Sequence, residues 1–447
     1  MDPEQDIRSI FFRALERVDP RGMIKSAVRL EGSVLLISRQ GQTLREDLSA
    51  FSEVVVLGIG KASSRMGAAM EEILGDRISQ GLVITKHGHA DPLDHIAVRE
   101  AGHPVPDEGS VSGAEALLDL VRRADERTLI VNLISGGGSA LFSLPALGVT
   151  LADKQETTRV LLESGADIRE INCIRKHLSQ VKGGLFARAA HPARVINLIL
   201  SDVVGDRLDT IASGIAVPDE TTFDQALGIV DKLRIRKLLP APVVTRLEAG
   251  SRGEIPDTPK PGDRVFERVT NILLGNNLSA CNAARDHGRA LGYRSFLLTS
   301  MLTGEAREAA RFFAAIARDM KRGAPDFPRP ALIVAGGETT VTIRGAGRGG
   351  RNQEMALSFI NDFHQTAEGM EGIWFLSAGT DGTDGPTDAA GAIVGPMALD
   401  RAWELGLETG EYLDENDSYT FFQKAGGLFV TGPTGTNVCD IQLMIVS

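Results

Sequence analysis

Arg348 and Arg351 stand in the run GAGRGGRNQE, a glycine-rich turn at the mouth of an expected helix, where guanidinium groups and exposed backbone N–H groups suit an anion. Upstream, VVVLGIGK ends an apolar strand in a glycine turn and delivers Lys61 at the next helix start. A third turn, Ser135-Gly136-Gly137-Gly138-Ser139, repeats the design without charge. Three successive residues without Cβ let backbone N–H groups approach a phosphate or carboxylate closely. A lysine, an arginine and such a cradle are what a transferring phosphoryl group requires, because its charge must be neutralised while it moves. Lys61 at a helix start also opposes the helix dipole, a cost of up to about 1 kcal/mol that a bound anion removes. Arg351 cannot lose its charge and can grip an equatorial oxygen with two N–H groups, so it is the better arginine for transition-state work.

Carboxylates occupy the neighbouring turns. AGTDGTDGPTDAAGA sets Asp381, Asp384 and Asp388 along a glycine-rich loop after a strand, and Glu338 ends another strand in AGGETT. Mg²⁺ commonly takes one or two protein oxygens and fills the rest with water and phosphate, so Asp381 and Glu338 are the expected metal ligands. Asp384 and Asp388 can serve as turn formers. The set Lys86-His87-Gly88-His89 with His95 lacks metal-ligand spacing and reads as a polar loop. His103 lies between turn residues and is a candidate for the cleft, whereas Arg175, Lys176 and His177 read as a helix face.

The elements that position these groups alternate. VVVLGIG, GLVITK, TLIVNLI and RVINLILSD are strand candidates separated by helical stretches such as Ser112 to Val121, which describes a mostly parallel sheet with helices on both faces. Ligands of such sheets bind at the carboxyl ends of the strands. Pro256, Pro259 and Pro261 interrupt the pattern, and NILLGNN, RSFLLTS, ALIVAGG and GIWFLSAGTDG follow as further strands. The expected fold is therefore α/β, with a Rossmann-like domain over residues 1–245, a smaller α/β domain over residues 246–447 and an active site in the interdomain cleft.

At 447 residues the chain exceeds one ordinary domain of about 100 to 200 residues. A formal charge of −11 and the lack of any basic run with interleaved aromatics exclude a nucleic-acid partner. Three scattered cysteines indicate neither a disulfide framework nor a structural zinc. No apolar run reaches membrane-spanning length, and the acidic N-terminus, with Ile7, Ile10, Phe11, Ala14, Leu15 and Val18 at helical spacing, reads as an amphipathic helix rather than a signal peptide. The cytoplasm is the expected location, with no membrane partner, and a homodimer stays open.

The stretches GIGKAS, AGHPVPDEGS, SGGGSALFSLP, INCIRKHLSQVKGG, LSDVVGD, GGETTVTIRGAGRGGRNQE, GTDGTDGPTDAAGA and TGPTGTNVCD resemble those of glycerate 2-kinases of the MOFRL type, a family also given the name hydroxypyruvate reductase. The resemblance runs from about Glu53 to the C-terminus, with Ile215 in place of the family's usual proline. It implies a two-domain enzyme in which ATP and D-glycerate meet, with the family's essential lysine at Lys61 and its essential arginine at Arg351. ATP and Mg²⁺ are the implied cofactors, and the product is 2-phosphoglycerate. The alternative is an NAD(P)H-dependent hydroxypyruvate reductase. Against it, Ser63 stands where a dinucleotide fingerprint has its third glycine, and GLVITK ends in Lys86 where an acidic ribose partner belongs.

Overall fold

In the computed structural model, residues 2–39, 41–323 and 326–447 are described. The chain divides into two compact units, residues 20–274 and residues 1–19 with 275–447. In the first, β1 (Val28–Glu31), β2 (Val34–Arg39) and β3 (Gln42–Asp47) form a small antiparallel meander. It precedes a six-stranded sheet of β4 (Glu53–Ile59), β5 (Gln80–Lys86), β6 (Ala97–Ala101), β7 (Thr128–Ile134), β8 (Arg194–Leu200) and β9 (Val269–Gly275). Their spatial order is β6-β5-β4-β7-β8-β9, and β4 through β8 pair in parallel. Strands β4, β7 and β8 are almost continuously apolar and buried, as strands covered on both faces must be. The order reverses between β4 and β7, so a crevice opens at their carboxyl ends, the place where open α/β sheets bind ligands.

The boundary expected at residue 245 is not where the compact units part. NILLGNN, assigned above to the second domain, forms β9 beside β8 instead. A row of buried amides joins it to the sheet: Asn132 Nδ2 donates to Asn197 Oδ1 at 2.9 Å, and Asn197 Nδ2 donates to Asn271 Oδ1 at 2.9 Å. The row ends at Asn132 Oδ1, which has no hydrogen-bond partner, because its neighbour across the ladder on β4 is Leu57. Nor is the proline-rich stretch a linker. Asp257 accepts from His177, Thr258 donates to Asp219, and the carbonyl of Pro259 accepts from the backbone of Asp219.

The second unit holds β10 (Arg294–Leu302), β11 (Ala331–Gly337), β12 (Ile373–Gly379), β13 (Gly391–Val394), β14 (Leu428–Phe429) and β15 (Asp440–Val446), in the order β10-β11-β15-β12-β13-β14. Only β10 and β11 run parallel; the other pairs are antiparallel. The expected helix after the glycine-rich turn spans Arg351–Thr366 and buries Met355, Phe359 and Phe363, with the Phe359 ring stacked on Phe375 at 4.4 Å. The N-terminal helix, Pro3–Arg17, belongs to this unit. Phe11 meets Phe429 edge-on at 5.1 Å, and the Tyr293 hydroxyl donates to Asp6 at 2.6 Å.

In the first unit, helices Ile168–His177, Phe223–Lys232 and Ala241–Ser251 share a separate apolar core. His177 is buried there with its ring against Phe223. Burial alone would push its pKa down, but the Asp257 carboxylate at 3.0 Å and the Cys173 carbonyl at 2.7 Å raise it to about 9. The imidazolium therefore adds stability in full below the unfolded value of about 6.5 and loses it as pH rises through 9, a swing of about 3 kcal/mol. Denaturation of His177→Gln and the parent protein between pH 6 and 9.5 should show the stability gap narrowing by that order as pH rises. A gap constant across this range contradicts the ion pair.

Candidate active site

At the reversal point of the first sheet, the turns after β4 and β7 are tied to each other. The backbone N–H of Ser135 donates to Ile59 at 2.9 Å, that of Lys61 to Gly136 at 2.8 Å, and that of Ala62 to Ser135 Oγ at 3.0 Å. Ser135, expected in the phosphate cradle, thus uses its hydroxyl to hold the lysine turn. Lys61 precedes the helix Ser63–Leu74 and lies beside Gly137, whose missing Cβ would sit 3.2 Å from Lys61 Cγ and 2.9 Å from His103 Cδ2. Gly137 has φ +83°, a left-handed conformation that glycine adopts without strain. A Cβ on Gly136 would lie 2.1 Å from Asp202 Oδ2. Lys61, His103, Asp202 and the triple glycine therefore share one small region.

The backbone of that turn is poorly satisfied. Among the described residues, no acceptor meets the N–H groups of Gly136, Gly137, Gly138 or Ser139, although Gly136 and Gly138 are buried. Buried N–H groups are nearly always paired, and four in succession beside a lysine form a cradle for anionic oxygen. Behind the turn, Ser139 Oγ meets Ser213 Oγ at 2.8 Å, and Lys182 Nζ donates to the Ser139 carbonyl at 2.7 Å.

The second unit places the remaining sequence candidates. Register pairs Asp440, the first residue of β15, with Gly337 on one side and Gly379 on the other, so Glu338 and Asp381 flank it just past the ends of β11 and β12. Arg351 Nε and Nη2 grip the two oxygens of fully buried Asp440 at 2.6 and 2.9 Å, and Nη1 lies 2.9 Å from Glu338 Oε1. Burial would lower the Arg351 pKa, but these carboxylates more than reverse that, and the guanidinium stays charged. Its side chain is 34% exposed, so the Glu338 edge faces outward while Asp440 fixes the inner edge.

One expectation is corrected here. The mouth of the Arg351 helix, expected to be an anion site, is filled by the protein's own carboxylate: Asp384 accepts from the backbone N–H groups of Asn352 at 3.0 Å and Gln353 at 2.8 Å. Burial pushes the Asp384 carboxyl up to about 6, leaving it ionised at neutral pH, where it is the anion the helix start needs. Arg348 is likewise structural, donating to the Pro386 carbonyl and lying over the Tyr419 ring at 4.5 Å. Asp388 accepts from the Tyr419 hydroxyl.

The described residues contain no group of three or more His, Cys, Asp or Glu side chains arranged to hold a metal. Glu338 and Asp381 still offer two carboxylates beside one strand terminus, and a Mg²⁺ that arrives on nucleotide phosphates needs no more protein oxygen than that. Sequence reasoning missed Asp202 and Asp440. Asp202 could have been found from its place after RVINLILS at the carboxyl end of a central strand; Asp440 carried no comparable signal, since only strand register brings it to Arg351.

Comparison with known proteins bears on the whole chain. Residues 6–248 match a domain of unknown function, DUF4147, and residues 331–440 match the MOFRL family. D-glycerate 2-kinase of Thermotoga maritima is 42% identical over 96% of this chain and 99% of its own. A putative hydroxypyruvate reductase of Agrobacterium vitis is 42% identical over 88% of this chain and 99% of its own. The crystal structure of the Thermotoga maritima glycerate kinase superposes with a TM-score of 0.86 at 40% identity, covering all of both chains. Two matched domains, near-complete coverage and a shared fold lead to one conclusion: the chain belongs to the MOFRL-type glycerate 2-kinase family.

Proposed function

We propose that this protein transfers the γ-phosphoryl group of ATP to the 2-hydroxyl of D-glycerate, giving 2-phosphoglycerate and ADP. The observation that carries the reading is the row of four backbone N–H groups at Gly136 to Ser139 that meet no acceptor among the described residues, beside Lys61 at the reversal point of the sheet. Such a row answers phosphate oxygens, and Lys61 adds the charge that a spreading metaphosphate-like transition state needs. Arg351, oriented by Asp440, supplies the second cation through its outer edge. Asp202, against Gly136, accepts the hydroxyl proton of the acceptor. When Mg²⁺ is bound with ATP, it neutralises phosphate charge, and Glu338 with Asp381 are the residues that would hold it. The reductase alternative is disfavoured by these residues, because β5 ends in Lys86 where an acidic partner for the ribose hydroxyls belongs and Ser63 stands where a dinucleotide fingerprint has its third glycine. No helix among the described residues is long and apolar enough to cross a membrane, and a cytoplasmic site of action is part of this proposal.

Purified protein with D-glycerate, ATP and Mg²⁺ should yield 2-phosphoglycerate by NMR, and with NADH and hydroxypyruvate should consume no NADH; the reverse pattern overturns the proposal. Lys61→Ala should lower kcat about 1000-fold with little change in melting temperature. Arg351→Ala would leave Asp440 buried and unpaired, a loss of about 3–5 kcal/mol, so Arg351→Lys is the better test. It keeps a charge but loses the fork, and kcat should fall about 100-fold. Near-normal turnover in either folded variant removes that residue from the mechanism. Gly136→Ala should raise KM for ATP at least about 10-fold, since its methyl group collides with Asp202 and closes the cradle; an unchanged KM places the phosphates elsewhere.

A further inference from the structure

The turn after β7 has all its carbonyls engaged within the protein. The Gly136 carbonyl accepts from the Lys61 N–H at 2.8 Å, that of Gly137 from Ala140 at 3.1 Å and Leu141 at 3.2 Å, and that of Gly138 from Phe142 at 3.0 Å. The Ser139 carbonyl accepts from Lys182 Nζ at 2.7 Å, and Lys182 is fully buried. The Ser139 hydroxyl is engaged as well. Its Oγ lies 2.8 Å from Ser213 Oγ, and Ser213 Oγ donates onward to Asn172 Oδ1 at 3.4 Å. A hydroxyl carries one proton, so Ser139 is the donor in the first of these bonds. What the turn has left to offer a ligand is its N–H groups.

The segment that meets this turn from behind is strained. Ala212, Ser213 and Gly214 have φ of +49°, +58° and +66°, three left-handed residues in succession. Only the glycine adopts that conformation without a clash of its Cβ. The other two keep their side chains, and each side chain touches the turn. Ala212 Cβ lies 3.1 Å from the place a Cβ on Gly138 would take, and Ser213 Oγ holds Ser139. Both residues are buried. The strained backbone is itself pinned, because the N–H of Gly183 donates to the Ser213 carbonyl at 3.0 Å and that of Gly184 to the Gly214 carbonyl at 2.8 Å. Residues persist in such a conformation only where their surroundings over-determine it, and they cluster at functional sites. Glycine at 212 and 213 would be free of strain and would lose both contacts with the turn.

We propose that Ser213 and Ala212 are positioning residues for the nucleotide phosphates: their side chains, carried on left-handed backbone, hold the Gly136–Ser139 turn in the form in which its N–H groups meet phosphate oxygens. This rests on the phosphotransfer reading above. Ser213 acts through Ser139 and Ala212 through Gly138, so both set the shape of the site rather than its charge. A preformed row of donors binds tightly because it needs no reordering when the phosphates arrive.

The test compares the parent protein with Ser213→Ala, which keeps the strain and removes the hydroxyl, and Ser213→Gly, which removes both. Each should raise KM for ATP about 10-fold while kcat and KM for D-glycerate stay within about threefold, the signature of lost phosphate binding. Ser213→Gly should melt no lower than Ser213→Ala, because glycine relieves the backbone; a lower melting temperature contradicts the strain. Loss of a purely structural residue lowers the active fraction, and with it the apparent kcat, and leaves KM for ATP unchanged. That result overturns the proposal. Amide hydrogen exchange without ligand separates this idea from the kinase reading. Ala140, Leu141 and Phe142 donate to carbonyls of the turn, and their exchange should quicken about 10-fold in Ser213→Ala while the β4 amides exchange as in the parent. Unchanged exchange overturns the positioning role even if the protein proves to be a glycerate kinase. Quickened exchange in a protein that transfers no phosphate upholds the hold on the turn and overturns the kinase reading alone. If neither Ser213 variant folds, Ala212→Gly, which keeps the hydroxyl, decides by the same two readouts.

Discussion

Three hydrogen bonds between the turns that follow β4 and β7 set the conditions for everything else at the first site. By donating from Lys61 and Ala62 into Gly136 and Ser135, the lysine turn takes up the acceptors of the glycine turn and leaves its N–H groups pointing elsewhere. The consequence is asymmetry: a stretch of backbone rich in donors, short of acceptors and next to a lysine. Helix formation could not satisfy those donors, because the helix that begins at Gly138 is only four residues long and its first N–H groups have no preceding turn. Among the described residues, no acceptor completes the set.

The second unit solves a different problem with similar parts. Its glycine-rich turn also opens a helix, but Asp384 occupies the mouth, so the helix dipole serves stability rather than binding. What this unit offers is a guanidinium held rigid by a fully buried aspartate, with one edge directed away from it. A charged side chain pre-aimed in this way loses little freedom when it engages a moving charge, which is how electrostatic stabilisation becomes selective for a transition state. The ion pair with Glu338 places a half-exposed carboxylate on that outer edge.

Local features were legible in the sequence, and non-local ones were not. The N-terminal helix, the apolar strands β4, β7 and β8, and the helix after Arg351 each declare themselves through periodicity within one segment. Lys61 and the triple glycine stood out because residue type and turn chemistry coincide. In contrast, the place of β9 beside β8 is not legible in the sequence, since prolines signal irregular backbone but not which sheet resumes after it, and that place depends on the amide row through Asn197 and Asn271. Asp440 matters only because three strands bring it opposite Gly337 and Gly379. Arg175, Lys176 and His177 looked alike as a helix face, and tertiary partners alone distinguish them.

A crystal structure with a non-hydrolysable ATP analogue, Mg²⁺ and D-glycerate is the most direct measurement. The expected result is phosphate oxygens within about 3 Å of the amide nitrogens of Gly136 to Ser139, with Lys61 Nζ on the same phosphate chain. A nucleotide bound with its phosphates away from that turn, and the four amides donating to water or protein instead, contradicts the central claim.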